Sequence, residues 1–408
     1  AGALIVIAFN AMDPVTTLSE KFMTGMSGFA GNWFLLFMLG AIFGKVMGDS
    51  GASVGIANKM LKLLGEKSVV LVVMLTGLVL SYGGIGTFII AFSLYPIAVA
   101  LFQKADIPKK LIVATIMVCP VTVCMAMLPG SPSTQNLIAT QYFGTTAYAG
   151  ASIGLICSVI MFVSAYLFLN WQIKKAKAAG EHFVASPGED IMDLNAVDEG
   201  KTPSIGACFA PIVVLLVLMF GIQSLTSIPS SYAVAIAMTC AIIVGCVLYR
   251  DRLNVKEAVS NGAGGGLSSL IATSSIMGFG SVVSASPAYE SITTALVNMD
   301  ANPLITALIS INVIAAITGS SAGGLNIFLS SMGEYLAASG LNMAMLHRVV
   351  CIASSGFDAM PHASGMVVCN QIAKTSQKDT YKYVFITCAI MPFCCAILAC
   401  IIGTLGIV

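Results

Sequence analysis

Asp358 and His362 lie four residues apart, with Pro361 between them, in a stretch that is otherwise apolar or small (FDAMPHASG, 357–365). An ionisable side chain among hydrocarbon is costly and is a functional candidate by default. A carboxyl and an imidazole at this spacing can relay a proton, or the imidazole can meet a substrate carboxylate. A plain ion pair or a cap for a broken helix stays open as the structural alternative. Three further clusters carry uncharged donors and acceptors: Ser81, Gly83, Gly84 and Thr87; Ser131, Ser133, Thr134 and Asn136, with Gln135 among them; and Ser320, Ser321, Gly323 and Asn326. With His362 they form the expected substrate site, and Asp358 with His362 the expected proton-coupling pair. Glycine clusters beside hydroxyls permit tight turns and close approach of a ligand to backbone amides. Their bland alternative is helix packing through small residues, and for 131–136 a solvated loop. Lys45, Asp49, Glu290 and Glu334 read as solvated or snorkelling charges near helix ends. His347, near a helix start, and His182, in a polar linker, are set aside.

The elements that must position these residues belong to a membrane. The 408 residues are 57% hydrophobic and only 9% charged, with a mean hydropathy of +0.94, far from the roughly 25% charge of soluble domains. Apolar runs such as 205–221, 232–248 and 383–408 approach or exceed the ~20 residues a helix needs to cross a bilayer. The lipid bilayer is therefore a partner. A net charge of +1 gives no argument for nucleic acid. The twelve cysteines lack metal-ligand spacing, so they read as small hydrophobes, with no disulfide, metal or other cofactor expected. The chain begins at Ala1 inside an apolar stretch, 1–12, too short to span alone, so part of a first helix is expected to precede it.

One long polar segment, 179–204, divides the chain and reads as a surface linker. The halves can be laid over one another: an amphipathic segment and apolar helix (16–48 and 254–283), a short amphipathic helix (52–64 and 288–299), two interrupted apolar stretches and a long closing helix (147–171 and 383–405). Short cytoplasmic loops favour Lys and Arg. The first half is basic at Lys59/Lys62/Lys67, Lys104/Lys109/Lys110 and Lys174/Lys175/Lys177, whereas the matching points of the second half, 298–303, 338–344 and the C-terminus, carry neither residue. Conversely the second half is basic at Arg250/Arg252/Lys256 and Lys374/Lys378/Lys382, opposite an uncharged 144–146. The repeats are therefore inverted, with the linker cytoplasmic and the C-terminus outside. Segment 68–103 has basic loops at both ends and arms too short to span, so it is expected to be a re-entrant hairpin, with 303–338 as its counterpart. Segments 112–142 and 345–372 must each cross once, unwound in the middle. The fold class is all-α: a polytopic membrane protein of two inverted repeats, each with one re-entrant hairpin and one unwound transmembrane helix. Residues 1–66 and 205–299 are the expected scaffold parts and 67–178 and 300–408 the transport parts.

Backbone that leaves the helix at membrane depth must line protein or a cavity. Paired broken helices in inverted repeats are the arrangement in which half-helix N-termini face an anion and freed carbonyls hold a cation. Secondary transport follows. The stretch from Asp358 to His362, the segment Leu94-Tyr-Pro96 with its basic loop 104–110, and the run from Leu128 to Asn136 resemble the gluconate permease (GntP) family of proton symporters over nearly the whole chain. The resemblance implies the ion transporter superfamily, a homodimer in a bacterial inner membrane, a transport domain moving against a scaffold, and proton-driven uptake of a small hydroxy-carboxylate such as gluconate or 3-hydroxybutyrate. No Arg or Lys lies in the four interrupted motifs, which suits a singly charged substrate. The alternatives are a sodium-coupled dicarboxylate or citrate carrier or an ion antiporter on the same scaffold, and, from another class, a channel. An intramembrane hydrolase would need a defined serine elbow beside an oriented His, which the sequence does not supply, so no enzyme activity is expected.

Overall fold

The computed structural model describes residues 2–53, 55, 56, 59, 62, 65, 68–82, 87–131, 133–186, 202–226, 228, 230–297 and 302–408. The chain is all-α, and every regular element among the described residues is a helix. In order these are α1 Gly2–Phe9, α2 Pro14–Asp49, α3 Val69–Tyr82, α4 Thr87–Lys104, α5 Lys109–Met127, α6 Thr134–Phe143, α7 Ala151–Ala178, α8 Ile205–Leu225, α9 Ser230–Leu248, α10 Val255–Ser284, α11 Pro287–Val297, α12 Pro303–Thr318, α13 Ser321–Ala338, α14 Met343–Ser354, α15 Ser364–Ile372 and α16 Gln377–Thr404. Of these, α2, α5, α7 and α16 are long and apolar enough to cross a membrane. The chain is an integral membrane protein.

Local chemistry fixes where many of these helices start. Asp13 accepts from Thr16 N ahead of Pro14, Asn254 from Glu257 N, Asn302 from Leu304 N ahead of Pro303, Asn342 from Ala344 N and Met345 N, and Ser376 from Asp379 N. Each cap satisfies first-turn N–H groups that have no intrahelical partner.

The matching helices α2 and α10 lie side by side and antiparallel. Cβ atoms built on Gly262, Gly266 and Gly278 of α10 would meet Ile42 Cα, Phe37 O and Phe22 O of α2, each at 2.7 Å. Rising numbers on one helix meet falling numbers on the other, as inversion requires, and the missing side chains let the two backbones touch. Both expected hairpins form: α3 runs beside α4, and α12 beside α13. The crossing helices are antiparallel as well. The first half of the second crossing, α14, packs on α6, the second half of the first; α15 packs on α4 and α5.

At one end of the molecule several of the basic segments meet. Lys110 pairs with Glu181, Lys177 Nζ donates to Ala105 O at 2.7 Å, Lys109 Nζ to Ser186 Oγ at 2.7 Å, and Lys110 lies over the Tyr383 ring. The basic loop at 104–110, the lysine-rich end of α7 and the start of α16, which the lysine pattern assigned to one side, are thus neighbours.

Some boundaries move. The first closing helix, expected over 147–171, starts at Ala151, because Gly150 takes a left-handed conformation (φ +61°), and it carries Lys174, Lys175 and Lys177 to its end at Ala178. The second, expected over 383–405, starts six residues early, at Gln377, where Ser376 caps it. The expected tip 83–86, most of the short helix 52–64 and the linker beyond Ser186 up to 201 fall outside the described residues.

Candidate functional site

The first crossing helix comes apart for a reason visible in sequence. Pro120 has no N–H to give, and from Cys119 to Met127 the chain is wound more widely, with Leu128 N reaching back five residues to Val123 O at 2.8 Å. Leu128 is then extended (ψ 124°), Gly130 N donates across to Ala147 O at 2.9 Å, and the helix restarts at Thr134 with Ser133 Oγ accepting from Asn136 N. The hairpin of the same repeat docks on this break: Tyr82 OH donates to Pro129 O at 3.3 Å, and Ser81 and Ser131 both lie against the Cys124 thiol. Thr87 Oγ1 donates to Met125 Sδ at 3.3 Å. Gly83 and Gly84 lie outside the described residues.

In the second repeat the docking is equivalent. The tip of the hairpin is Gly319, at φ +62°, where an added Cβ would stand 3.0 Å from Ala363 Cα and 3.2 Å from His362 Cδ2. Only glycine meets both demands. His362 Nε2 lies 3.1 Å from Ile317 O. A carbonyl only accepts, so Nε2 carries the hydrogen and Nδ1 is the nitrogen left to take a proton. Ser320 Oγ caps α13 by accepting from Gly323 N. Asn312, in α12, holds the break itself: its Oδ1 accepts from Phe357 N at 3.2 Å and its Nδ2 donates to Leu308 O. Next in the chain comes Asp358, whose Oδ1 is buried with no hydrogen-bond partner among the described residues. An apolar recess of about 380 Å³ between Ile309, Asn312, Ile317, Phe357 and Phe393 borders this segment.

Two polar connections between the repeats lie beside these breaks. In one, Gln135 Nε2 lies 2.9 Å from Ser321 Oγ, Ser321 Oγ 2.8 Å from Ser354 Oγ, and Ser354 Oγ donates to Cys351 O at 2.8 Å. The first turns of α6 and α13 therefore meet. In the other, Asn136 Nδ2 donates to Ser131 O, while Asn136 Oδ1 accepts from Arg348 Nη1 at 3.0 Å and from His347 Nε2 at 3.1 Å. Thr145 Oγ1 is 2.7 Å from His347 Nδ1. Arg348 also donates from Nε and Nη2 to Ala149 O and from Nη2 to Ala147 O. His347 and Arg348 are both fully buried.

Of the residues expected to form the site, Ser131, Ser133, Asn136 and Ser321 come together around these connections, and Ser320 and Gly323 around the cap beside them. Thr134 and Asn326 are exposed on their helices. His362 and Asp358 make no ion pair with each other: the imidazole is bonded to the hairpin tip. Sequence reasoning missed Arg348 and His347. The signal was two adjacent ionisable residues inside a crossing helix, discounted as the start of that helix. Ser354 opens the interrupted stretch of the second crossing but is not among the expected site residues, and Asn312 gave no signal beyond being polar. No group of three His, Cys, Asp or Glu side chains among the described residues is placed to hold a metal ion.

The GntP family permease model matches residues 2–405. Among curated proteins, the Uncharacterized transporter YxjC of Bacillus subtilis is 31% identical over 404 residues, covering 90% of this chain and 85% of that protein. The Inner membrane permease YgbN of Escherichia coli is 23% identical over 232 residues, covering 56% of this chain and 50% of its own length. An Uncharacterized permease of Haemophilus influenzae is 24% identical over 370 residues, covering 82% of this chain and 72% of its own. Among solved structures, the crystal structure of the Alcanivorax borkumensis YdaH transporter, described as having an unusual topology, aligns over 99% of this chain and 97% of that one, at 13% identity and a TM-score of 0.44.

Proposed function

The chain belongs to the GntP permease family and is a transporter, and on that premise we propose that it is a secondary active symporter, coupling proton entry to uptake of a small hydroxy-carboxylate by alternating access. The observation that carries this reading is the meeting of two helix N-termini from different repeats, α6 and α13, through Gln135 and Ser321. First-turn N–H groups and the positive ends of two helix dipoles converge there, and such ends bind anions. The buried guanidinium of Arg348 stands one residue away through Asn136. A single carboxylate suits this field.

Asp358 is the proton carrier in this reading. Its Oδ1 is buried with no hydrogen-bond partner among the described residues, at the break of the second crossing helix. His362, through Nδ1, is the second group able to take a proton. The remaining parts are also proposals: hairpins, crossing helices and closing helices (67–178 and 300–408) move against a scaffold of 1–66 and 205–299; the protein is a homodimer in the bacterial inner membrane with linker 179–204 cytoplasmic and the C-terminus outside; and it acts as a carrier, not an enzyme.

The test is uptake of radiolabelled gluconate and 3-hydroxybutyrate into proteoliposomes under an imposed pH gradient, without and with sodium. Uptake should follow the inward proton gradient and collapse in Asp358→Asn. Undiminished sodium-dependent uptake by Asp358→Asn would remove both the proton coupling and the role of Asp358, in favour of a sodium-coupled carrier.

A further inference from the structure

Hydrogen counting fixes the orientation of one side chain at the junction of α6 and α13. Three contacts run in series, from Gln135 through Ser321 and Ser354 to Cys351 O, and three contacts need three hydrogens. Each serine hydroxyl supplies one. The carbonyl at the end can only accept, so Ser354 donates to it, Ser321 must then donate to Ser354, and Ser321 Oγ can only accept from Gln135. The group facing Ser321 is therefore the Gln135 amide nitrogen. With the amide turned over, two hydrogens would have to serve three contacts and one would be lost.

The consequence falls on the other end of that amide. Gln135 is only 1% exposed, and its Oε1 is buried with no hydrogen-bond partner among the described residues. A buried acceptor left unmet is unfavourable, and turning the amide cannot relieve it. It sits in the first turn of α6, capped by Ser133, tied to the first residue of α13. The N–H groups and helix dipoles at this place favour an anion, whereas a lone carbonyl oxygen asks for a donor. A ligand carrying both a carboxylate and a neighbouring hydroxyl meets both demands. A carboxylate without a hydroxyl leaves Oε1 unmet.

We propose that Gln135 is a specificity-determining residue whose Oε1 accepts a hydrogen bond from a substrate hydroxyl on the carbon α or β to its carboxylate, with Ser321 and Ser354 orienting the amide. The assignment rests on the transport reading above and adds to it the atom that separates hydroxy-acids from their deoxy counterparts. Sites built to bond a hydroxyl reject the analogue lacking it, because the polar group of the site is left unpaired.

The experiment uses the full-length protein in detergent and measures binding by calorimetry with 3-hydroxybutyrate against butyrate, and with lactate against propionate. Wild type should favour each hydroxy-acid by at least about tenfold, within the range carried by one buried hydrogen bond. Gln135→Leu should bring both ratios below about threefold, by weakening the hydroxy-acid and not by strengthening the deoxy acid. If Gln135→Leu does not fold, Gln135→Asn withdraws the oxygen by one methylene and should lower the ratios in the same direction. Ratios unchanged from wild type in a folded variant overturn the assignment. So does a wild type that binds hydroxy and deoxy acids equally, the result expected if Oε1 meets only a water; the transport reading survives both outcomes. A wild type that neither binds nor transports these acids or gluconate removes that reading and this assignment with it.

Discussion

Arg348 offers a sharp test of what holds the repeats together. Its guanidinium makes four N–H to oxygen contacts with three acceptors, Asn136 Oδ1, Ala147 O and Ala149 O, and it is fully buried. Replacing it by leucine does not strand all three acceptors. Asn136 Oδ1 keeps His347, and Ala147 O keeps Gly130 N. Only Ala149 O loses every side-chain donor it has among the described residues, at ~1–3 kcal/mol; weaker bonding at the other two adds to this, and removal of a buried cation offsets part of it. A net loss of about 2–4 kcal/mol is expected for Arg348→Leu. Arg348→Lys should be no better and is expected to be worse. A single ammonium cannot span acceptors on the 147–149 loop and on α6 together, so the charge stays buried with fewer partners, the situation that costs ~3–5 kcal/mol. The assay is denaturant unfolding in lipid-detergent micelles, with hydrogen exchange read over 144–150. A lysine variant as stable as wild type, with unchanged protection in that loop, would refute the reasoning.

Two further outcomes follow from local geometry. A Cβ on Gly356 would stand 1.9 Å from Asn312 Oδ1, so Gly356→Ala should displace Asn312 from Phe357 N, lower the melting temperature by several degrees and reduce uptake far more than Gly28→Ala, at a site with nothing within 4 Å; equal uptake by the two variants would deny Asn312 its role in holding the break. At the basic end, the His182 side chain and then Phe183 N–H hold the Asp106 carboxyl below its ordinary value of 3.8. A depressed carboxylate contributes attachment that is fully present above its unfolded value and is lost as pH falls through its lowered one. Proteolytic or exchange protection of 181–186 should therefore be constant from pH 7 down to about 5 and fall only below about 4, with a small amplitude because the pair is exposed; protection lost already at pH 5 to 6 would assign the latch to another group.

Much of the architecture was legible because lipid leaves few options. Apolar length marked the long helices, lysine bookkeeping marked the two hairpins, and the prolines and glycines at 129, 319 and 361 marked where helices fail, whereas Pro120, where the first crossing helix begins to widen, went unremarked. The antiparallel contact of α2 with α10 bears out the inversion. What stayed hidden depends on partners far apart in sequence. His347 and Arg348 looked like a helix end because nothing local says that Asn136, 211 and 212 residues away, accepts from both. Asn312 is one polar residue in an apolar arm until Phe357 N is brought to it. Asp358 and His362 share one helical face on paper, but the helix is broken between them, so spacing no longer implies contact, and His362 turns to the hairpin instead.

The distribution of polar bonds constrains how the proposed cycle could run. Alternating access needs one surface that slides and others that do not. The two crossing helices are tied by Asn136 to Arg348 and His347, and the second hairpin to the first crossing helix by Gln135 and Ser321; directional bonds of this kind allow little slip, because displacement strands buried donors and acceptors. The contact between scaffold and crossing helix is of a different kind. Val368 of α15 packs on Phe37 and Ala41 of α2 and Leu270 of α10, an apolar cluster, where displacement exchanges one dispersion contact for another at little cost. If the substrate lies at Gln135 and Ser321, the ties around it keep it within a single body. The apolar contact at Phe37, Ala41, Leu270 and Val368 is then part of the sliding surface, so the crossing helices and second hairpin move together past α2 and α10, while local opening of the second hairpin must break the bonds of Ser321 to Gln135 and Ser354, of Ile317 O to His362 and of Asn312 to Phe357 N.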